Sequence, residues 1–221
     1  MAEGNPASST DASGFPSAAP SDLHLSESRV KQMEQSIRDG NFKDVTSVLV
    51  ARDGNLVYEH YFDADGIEAL RNTRSATKTV IGMLVGIAVD RKMLRTDAKV
   101  MSFFPDKQPV QNPDRRKSAI TVEDFLTMSS LLECDDENQF SHANARKDID
   151  YGYLWWLQEF HAGNRSFRSY GMYRTGGNKV YVLPETRLVV VVATTNFRIQ
   201  GAGALTDKLL TDYILDSVDL R

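Results

Sequence analysis

The stretch RSATKTVIGMLVGIAVDRKML, residues 74–94, decides how this chain is read. After Lys78 it carries eleven uncharged residues, 79–89, apolar on nearly every face of a 3.6-residue repeat. A helix that is apolar all round is one that lies buried, so the pattern predicts a helix at the centre of a domain. Eleven residues are too few to cross a bilayer. At its start stands Ser75-Ala76-Thr77-Lys78, a spacing that puts a hydroxyl and an amine on one helical face, near enough to share a proton. A hydroxyl is a poor nucleophile unless a base takes its proton, and a lysine serves as that base only when burial lowers its pKa. The backbone N–H groups of a first helical turn are also suited to a developing oxyanion.

The four-residue pattern alone carries little weight, because Ser28-Arg29-Val30-Lys31 repeats it on a segment with no apolar run behind it. The bland reading of the same residues is Ser75 as an N-cap and Lys78 as a charge whose stem covers apolar surface. Context separates the two matches: a strand hairpin precedes Ser75 and the long apolar run follows it.

Outward on the N-terminal side, segments 45–52 and 56–62 are rich in β-branched and aromatic residues and flank Asp53-Gly54, a strong tight-hairpin signal. Leu25, Val30, Met33 and Ile37 recur at helical spacing, with Ser26 as N-cap and Gly40 as stop. Residues 1–22, rich in Ser, Ala, Pro and Gly, read as a disordered tail. On the C-terminal side, Thr121-Val-Glu-Asp124 is a capped helix start and 105–117 an irregular connection. Residues 133–150 hold eight charges in eighteen and read as loop. Then come strands at 151–157, 166–172, 178–183 and 188–195, and a last helix through Leu205, Leu209 and Ile214. The order implies one domain, 23–221, of α+β class. It is an α/β sandwich whose antiparallel sheet has the N- and C-terminal helices on one face and the buried helix on the other.

The chain has 221 residues, with 26 Lys and Arg against 30 Asp and Glu and a net charge of −4. That balance excludes a dedicated nucleic-acid binder. Cys134 is alone, so no disulfide framework or cysteine metal site forms, and the four histidines lack metal-ligand spacing. No metal and no cofactor is expected. The first residues have neither the basic start nor the apolar core of a signal peptide, which fits a cytoplasmic chain or a periplasmic one already processed.

Residues 74–94, TVEDFLTMSSLLECDD (121–136), YGYLWWL (151–157) and GGNKVYVLPETRLVVVVATTNF (176–197) together resemble the serine β-lactamase and penicillin-binding-protein superfamily, in the family's order. The nearest branch is that of class C β-lactamase-related esterases and amide hydrolases. The resemblance implies a β-lactamase/transpeptidase-like fold and an acyl-enzyme mechanism, with Ser75 as nucleophile and Lys78 as its proton partner. Two further family motifs depart from pattern. No Tyr-x-Asn follows Ser75, and only ENQFSHANARKDID (137–150) stands where a helical subdomain is expected, as if it had been deleted near Ser141-His142. Tyr151 and Tyr153 are better read as sheet residues than as substitutes. The Lys-Thr-Gly strand motif falls, counting back from Pro184, on Ser169-Tyr170-Gly171. The Met172 N–H then completes an oxyanion hole with that of Ser75. Arg174-Thr175-Gly176 mimics the motif by eye, and Arg174 or Arg168 is placed to supply the missing cation. Leu131 stands where the family often has glycine. Trp155 and Trp156 read as sheet packing, and His60 and His161 as ordinary histidines rather than members of a triad.

These residues support an impaired serine hydrolase that cleaves a small-molecule ester, amide or β-lactam through acyl-Ser75. The alternative is a catalytically impaired homologue that binds a partner, since loss of a subdomain should bare an apolar patch on the 75–94 side and favour a homodimer. A purely structural domain with a chance Ser-x-x-Lys does not explain the family-like order of segments.

Overall fold

The computed structural model describes residues 9–10, 14–107, 112–130, 132, 149–197 and 199–219. The chain divides into two units, residues 1–76 with 158–221, and residues 77–157.

The larger unit is built on a sheet. Its strands are β1 (Ser9–Thr10), β2 (Pro16–Ser17), β3 (Val45–Arg52), β4 (Asn55–Tyr61), most of β6 (Trp155–Ala162), β7 (Arg165–Tyr173), β8 (Lys179–Leu183) and β9 (Leu188–Thr194). They follow one another in the order β1-β2-β4-β3-β9-β8-β7-β6. The β3–β4 hairpin turns on Asp53 and Gly54, at φ 52° and 77°, the left-handed pair that matches strand twist. The ladders β3–β9, β8–β9 and β7–β8 are antiparallel, and β2 runs parallel to its neighbour β4. Residues assigned by composition to the tail thus include a strand, Ser17 opposite Leu56, and a 3₁₀ turn at Pro20–Leu23.

Alternation along the strands sorts the side chains. Val48, Val50, Tyr181, Leu183, Val190 and Val192 are at most 1% exposed and form one apolar face. Complementary apolar side chains come from α1 (Glu27–Arg38), through Met33, and from α5 (Ala202–Leu209) with its π-helical extension Leu210–Leu215, through Leu209, Leu210, Ile214 and Leu215. Ser26 caps α1 by accepting the Arg29 N–H, as the sequence indicates. The chain ends are tied together: Ser26 N–H donates to Ser217 O at 3.0 Å, Asp219 N–H to His24 O at 3.0 Å, and the buried Arg52 guanidinium to Leu23 O and His24 O at 2.9 and 3.1 Å.

One ion pair lies inside this layer. Lys179 Nζ, on β8, donates to Asp207 Oδ1 of α5 at 2.5 Å, and the Tyr181 hydroxyl donates to the same oxygen at 2.8 Å. Lys179 and Asp207 are 5% and 9% exposed.

The smaller unit contains most of α2 (Ala76–Asp90), α3 (Arg115–Ala119), α4 (Val122–Leu126) and β5 (Ile149–Gly152). Thr121 and Asp124 close the expected capping box on α4. Two expectations fail here. Segment 151–157 is not one strand: Tyr153 and Leu154, at φ 50° and 66°, make a tight turn between β5 and β6. Three groups of this unit hold that turn, the Thr79 hydroxyl on Leu154 O at 2.6 Å, Leu154 N–H on Leu126 O at 3.0 Å, and the Tyr153 hydroxyl on Glu123 at 2.7 Å. Nor is α2 buried. Of its fifteen residues only Thr79 is, while Val80, Ile81, Met83, Leu84 and Ile87 are each more than 40% exposed. The apolar circumference has partners along one narrow stripe, where Gly82 lies so near the turn that a Cβ would sit 3.0 Å from Tyr153 O. The rest of its apolar circumference is exposed. No described helix is long and apolar enough to cross a membrane. Leu131, Cys134 and the inferred deletion point at Ser141-His142 lie outside the described residues.

The Lys179–Asp207 pair generates a stability test. Truncating one partner strands the other charge in the interior, so Asp207→Ala should cost about 3–5 kcal/mol in urea unfolding followed by circular dichroism. The double variant Lys179→Met/Asp207→Leu should cost far less than the single, because no charge is then left behind.

Candidate functional site

Ser75 closes a turn that leads directly into α2. The Asn72 side chain accepts the Arg74 N–H at 3.0 Å, and Ala76 N–H donates to Thr73 O at 3.1 Å. Between these bonds Arg74 adopts φ 36°, the smallest positive φ among the described non-glycine residues and well short of the left-handed minimum near 57°. A side chain held there costs about 1–3 kcal/mol and persists only where its surroundings impose it. Ser75 itself is half-buried and belongs to the larger unit; Lys78, in the first turn of α2, belongs to the smaller and is exposed. The burial that would make Lys78 a base is therefore missing among the described residues.

What imposes the turn is Arg174. Its side chain is 6% exposed, and one guanidinium nitrogen, Nη1, donates to Asn72 O. The guanidinium carbon stacks 4.6 Å from the centroid of Phe197, and that of Arg74 lies 5.0 Å from the same ring. Burial first, and then the neighbouring Arg74 charge, lower the Arg174 pKa from its usual value. Arg174 leads into a short 3₁₀ turn, Thr175–Gly177, rather than a strand. Within it Gly176 takes φ 82° and Gly176 O accepts the Thr194 hydroxyl, while Gly177 O accepts the Thr206 hydroxyl at 2.7 Å. Asn178 fastens the turn to β9 through two 3.0 Å bonds with the Thr194 backbone.

The segment aligned with the strand motif lies on β7. Tyr170, Gly171 and Met172 pair with Val182, Tyr181 and Val180. Alternation turns Ser169 and Gly171 into the covered face and leaves Tyr170, 43% exposed, and Met172 on the other. The Ser169 hydroxyl is buried with no partner among the described residues. Gly171 has a packing reason: a Cβ there would fall 1.9 Å from the Tyr173 ring, which folds back over it to reach Tyr181 and Lys179. Since β6 and β8 flank β7, it is an interior strand of the sheet and not an edge.

Beside the Ser75 turn the larger unit has a cavity of about 240 Å³. Leu49, Val180 and Val191 give it an aliphatic floor, and Ile67, Asn72 and Ala76 belong to its wall. Arg71 also borders it, but that charge is committed: it donates to Asp63 at 2.5 and 3.0 Å and to Gly66 O at 3.0 Å, holding the Asp63 carboxyl below its usual range.

Neither tyrosine weighed as a substitute relay is prepared to accept a proton. Burial raises the Tyr151 pKa, and the bond to Glu123 raises that of Tyr153, so both phenols stay protonated at neutral pH. His60 contacts Arg38 and His161 contacts Ser166, each at 2.9 Å.

The structure thus connects Arg174 to the Ser75 turn and directs Ser169 away into the covered face. Arg74, Asn72 and Phe197 escaped the sequence reading. Arg74 stands next to Ser75, but nothing in its spacing announces that Arg174 and Phe197, a hundred residues on, converge on it.

No curated protein matches the chain. Among solved structures, a Bacillus anthracis protein named as a 6-aminohexanoate-dimer hydrolase is similar in fold, with a TM-score of 0.59 over 92% of this chain and 88% of that one, at 9% identity. The family described as Beta-lactamase matches residues 33–147, rather more than half of the sequence and including the Ser75 turn and all of α2. Because that match spans more than half of the sequence, the chain belongs to the beta-lactamase family.

Proposed function

We propose that the protein is a serine hydrolase that cleaves a small ester or amide through an acyl-Ser75 intermediate. The observation that carries this reading is the cavity of about 240 Å³ whose wall includes Asn72, Thr73 and Ala76, the residues on either side of Ser75. An aliphatic floor beside a hydroxyl at a helix N-terminus suits an acyl chain, with the first-turn N–H groups turned to the oxyanion. In the reaction Ser75 Oγ attacks the carbonyl carbon, its proton passes to Lys78, and the leaving alcohol or amine takes that proton as the bond to it breaks. Water then hydrolyses the acyl-serine. Met172 is the second oxyanion donor in this reading and Tyr170 borders the substrate; Ser169, Thr175 and Gly176 shape the strand and turn behind them. The exposure of Lys78 and the lack of a phenolate relay make turnover slow. The name of the solved structural neighbour favours an amide as one substrate to try.

Intact-mass spectrometry after incubation with a fluorophosphonate tests the reading. One adduct should form on the parent chain and none on Ser75→Ala, and Lys78→Ala should acylate slower by about 10²–10⁴, the worth of a general base. An adduct that persists in Ser75→Ala, or none on a folded parent chain, overturns it.

A second reading, a homologue that binds rather than turns over, is favoured by the exposed stripe Val80, Leu84 and Ile87, spaced i, i+4 and i+7 on one face of α2. Here the apolar stripe meets its counterpart in a second copy of the chain. Sedimentation velocity should then show concentration-dependent dimers that Leu84→Glu disperses; a monomer at every concentration removes this reading.

A further inference from the structure

We propose that the substrate of Ser75 carries an uncharged aliphatic acyl chain of about eight carbons, and that Leu49, Val180 and Val191 set its length. That assignment rests on the hydrolase reading. The three side chains stand side by side because their strands pair in register: Val191 of β9 lies opposite Leu49 of β3 on one flank and opposite Val180 of β8 on the other. Alternation puts them on the sheet face opposite Val48, Val50, Tyr181, Val190 and Val192, whose side chains are covered. The same row continues on β7 to Met172, opposite Val180. It therefore joins the strand of the second oxyanion donor to the cavity whose wall includes Asn72, Thr73 and Ala76, around Ser75.

The lining decides the chemistry of the occupant. Its charged residues are Arg71 and Lys179, and both are paired within the protein, with Asp63 and with Asp207. Other polar groups of the lining are engaged as well. The Asn178 amide is bonded to the Thr194 backbone, the Asn72 side-chain oxygen to the Arg74 N–H, and the Tyr61 hydroxyl to Glu59. A charged acyl group entering here gives up its hydration without meeting an opposite charge that is not already paired. An alkyl chain instead gains up to about fourfold in affinity for each methylene it removes from water.

Volume decides the length. An apolar cavity of about 150 Å³ takes up benzene, a six-carbon ligand, and on that scale the 240 Å³ here holds roughly eight to ten carbons. Ile67, in the wall and 52% exposed, stands at the opening. A shorter acyl group leaves part of the floor without contacts, and a longer one extends past Ile67 into water.

Kinetics with 4-nitrophenyl acetate, butyrate, hexanoate, octanoate and dodecanoate, corrected for the rate of Ser75→Ala, measure the length. The kcat/KM should rise from acetate to octanoate, by up to about fourfold per methylene, and rise no further at dodecanoate. Val191→Phe fills the middle of the row, and the ratio of kcat/KM for octanoate to that for butyrate should fall by about tenfold or more. That ratio does not depend on how much of the variant is folded. Leu49→Ala enlarges the cavity and should move the maximum toward dodecanoate. Isothermal titration calorimetry on Ser75→Ala reads the cavity without any chemistry: 1-octanol should bind at least about tenfold more tightly than 1-butanol, and Val191→Phe in that background should abolish the difference. Turnover with no rise from butyrate to octanoate, or a rise that Val191→Phe leaves unchanged, overturns the length assignment and leaves the hydrolase reading standing. No turnover of any ester by the folded chain, with 1-octanol still preferred, sinks the hydrolase reading and the acyl assignment and leaves an alkyl-binding cavity. With no alcohol preference either, both fall.

Discussion

The bond from Lys179 to Asp207 is the constraint on which the placement of the Ser75 turn depends. Inside an apolar layer neither charge can be left alone, so α5 sits only where Asp207 reaches Nζ and the Tyr181 hydroxyl together. That fixes the start of α5 against the Thr175–Gly177 turn, where a Cβ on Gly177 would lie 2.6 Å from Ala202 O and the Thr206 hydroxyl closes on Gly177 O. The turn in turn carries Arg174, Arg174 reaches Asn72, and the Asn72 side chain holds the Arg74 N–H one residue before the serine. A charge pair on α5 and β8 thereby sets the backbone at the head of α2, through contacts that all lie within one unit.

The apolar run after Lys78 has a different fate from the one its composition suggests. Hydrophobicity on every face says that a helix seeks burial; it does not say what covers it. Here the covering group in its own unit is a two-residue turn, Tyr153-Leu154, which meets only the Thr79–Gly82 stripe. That close approach favours glycine at 82, while Val80, Ile81, Met83, Leu84 and Ile87 stay exposed. The run was legible as a helix and as a candidate for burial, while the exposure of Val80, Ile81, Met83, Leu84 and Ile87 belongs to tertiary structure.

The same division runs through the rest of the chain. Features written in a few neighbouring residues were readable: the Asp53-Gly54 hairpin, the Ser26 cap, the Thr121–Asp124 capping box and the strands at 45–52 and 188–194. The break in 151–157 was not, because neither Tyr153 nor Leu154 is a turn former; their left-handed backbone is imposed by Thr79, Leu126 and Glu123. Lys179, at an inward position of a strand whose outward neighbours are valines, would be taken for a surface charge until Asp207 is seen opposite it. Of the candidate site, the serine and its helix could be read from spacing, whereas the arginine pair could not, since residues 74, 174 and 197 are joined only by the fold.

Local rules are broken most densely near that serine. Arg74 sits at φ 36°, two guanidinium groups share one ring, and Nε and Nη2 of Arg174 lack acceptors among the described residues, all within a few residues of Ser75 or in direct contact with them. Elsewhere the same unit handles equivalent problems without such cost: Arg52 is saturated by carbonyls, Lys179 by a carboxylate, and Arg71 by Asp63. Arg174, with one bond to Asn72 O and two further donors without an acceptor among the described residues, departs from that pattern in contact with the turn that carries the candidate nucleophile.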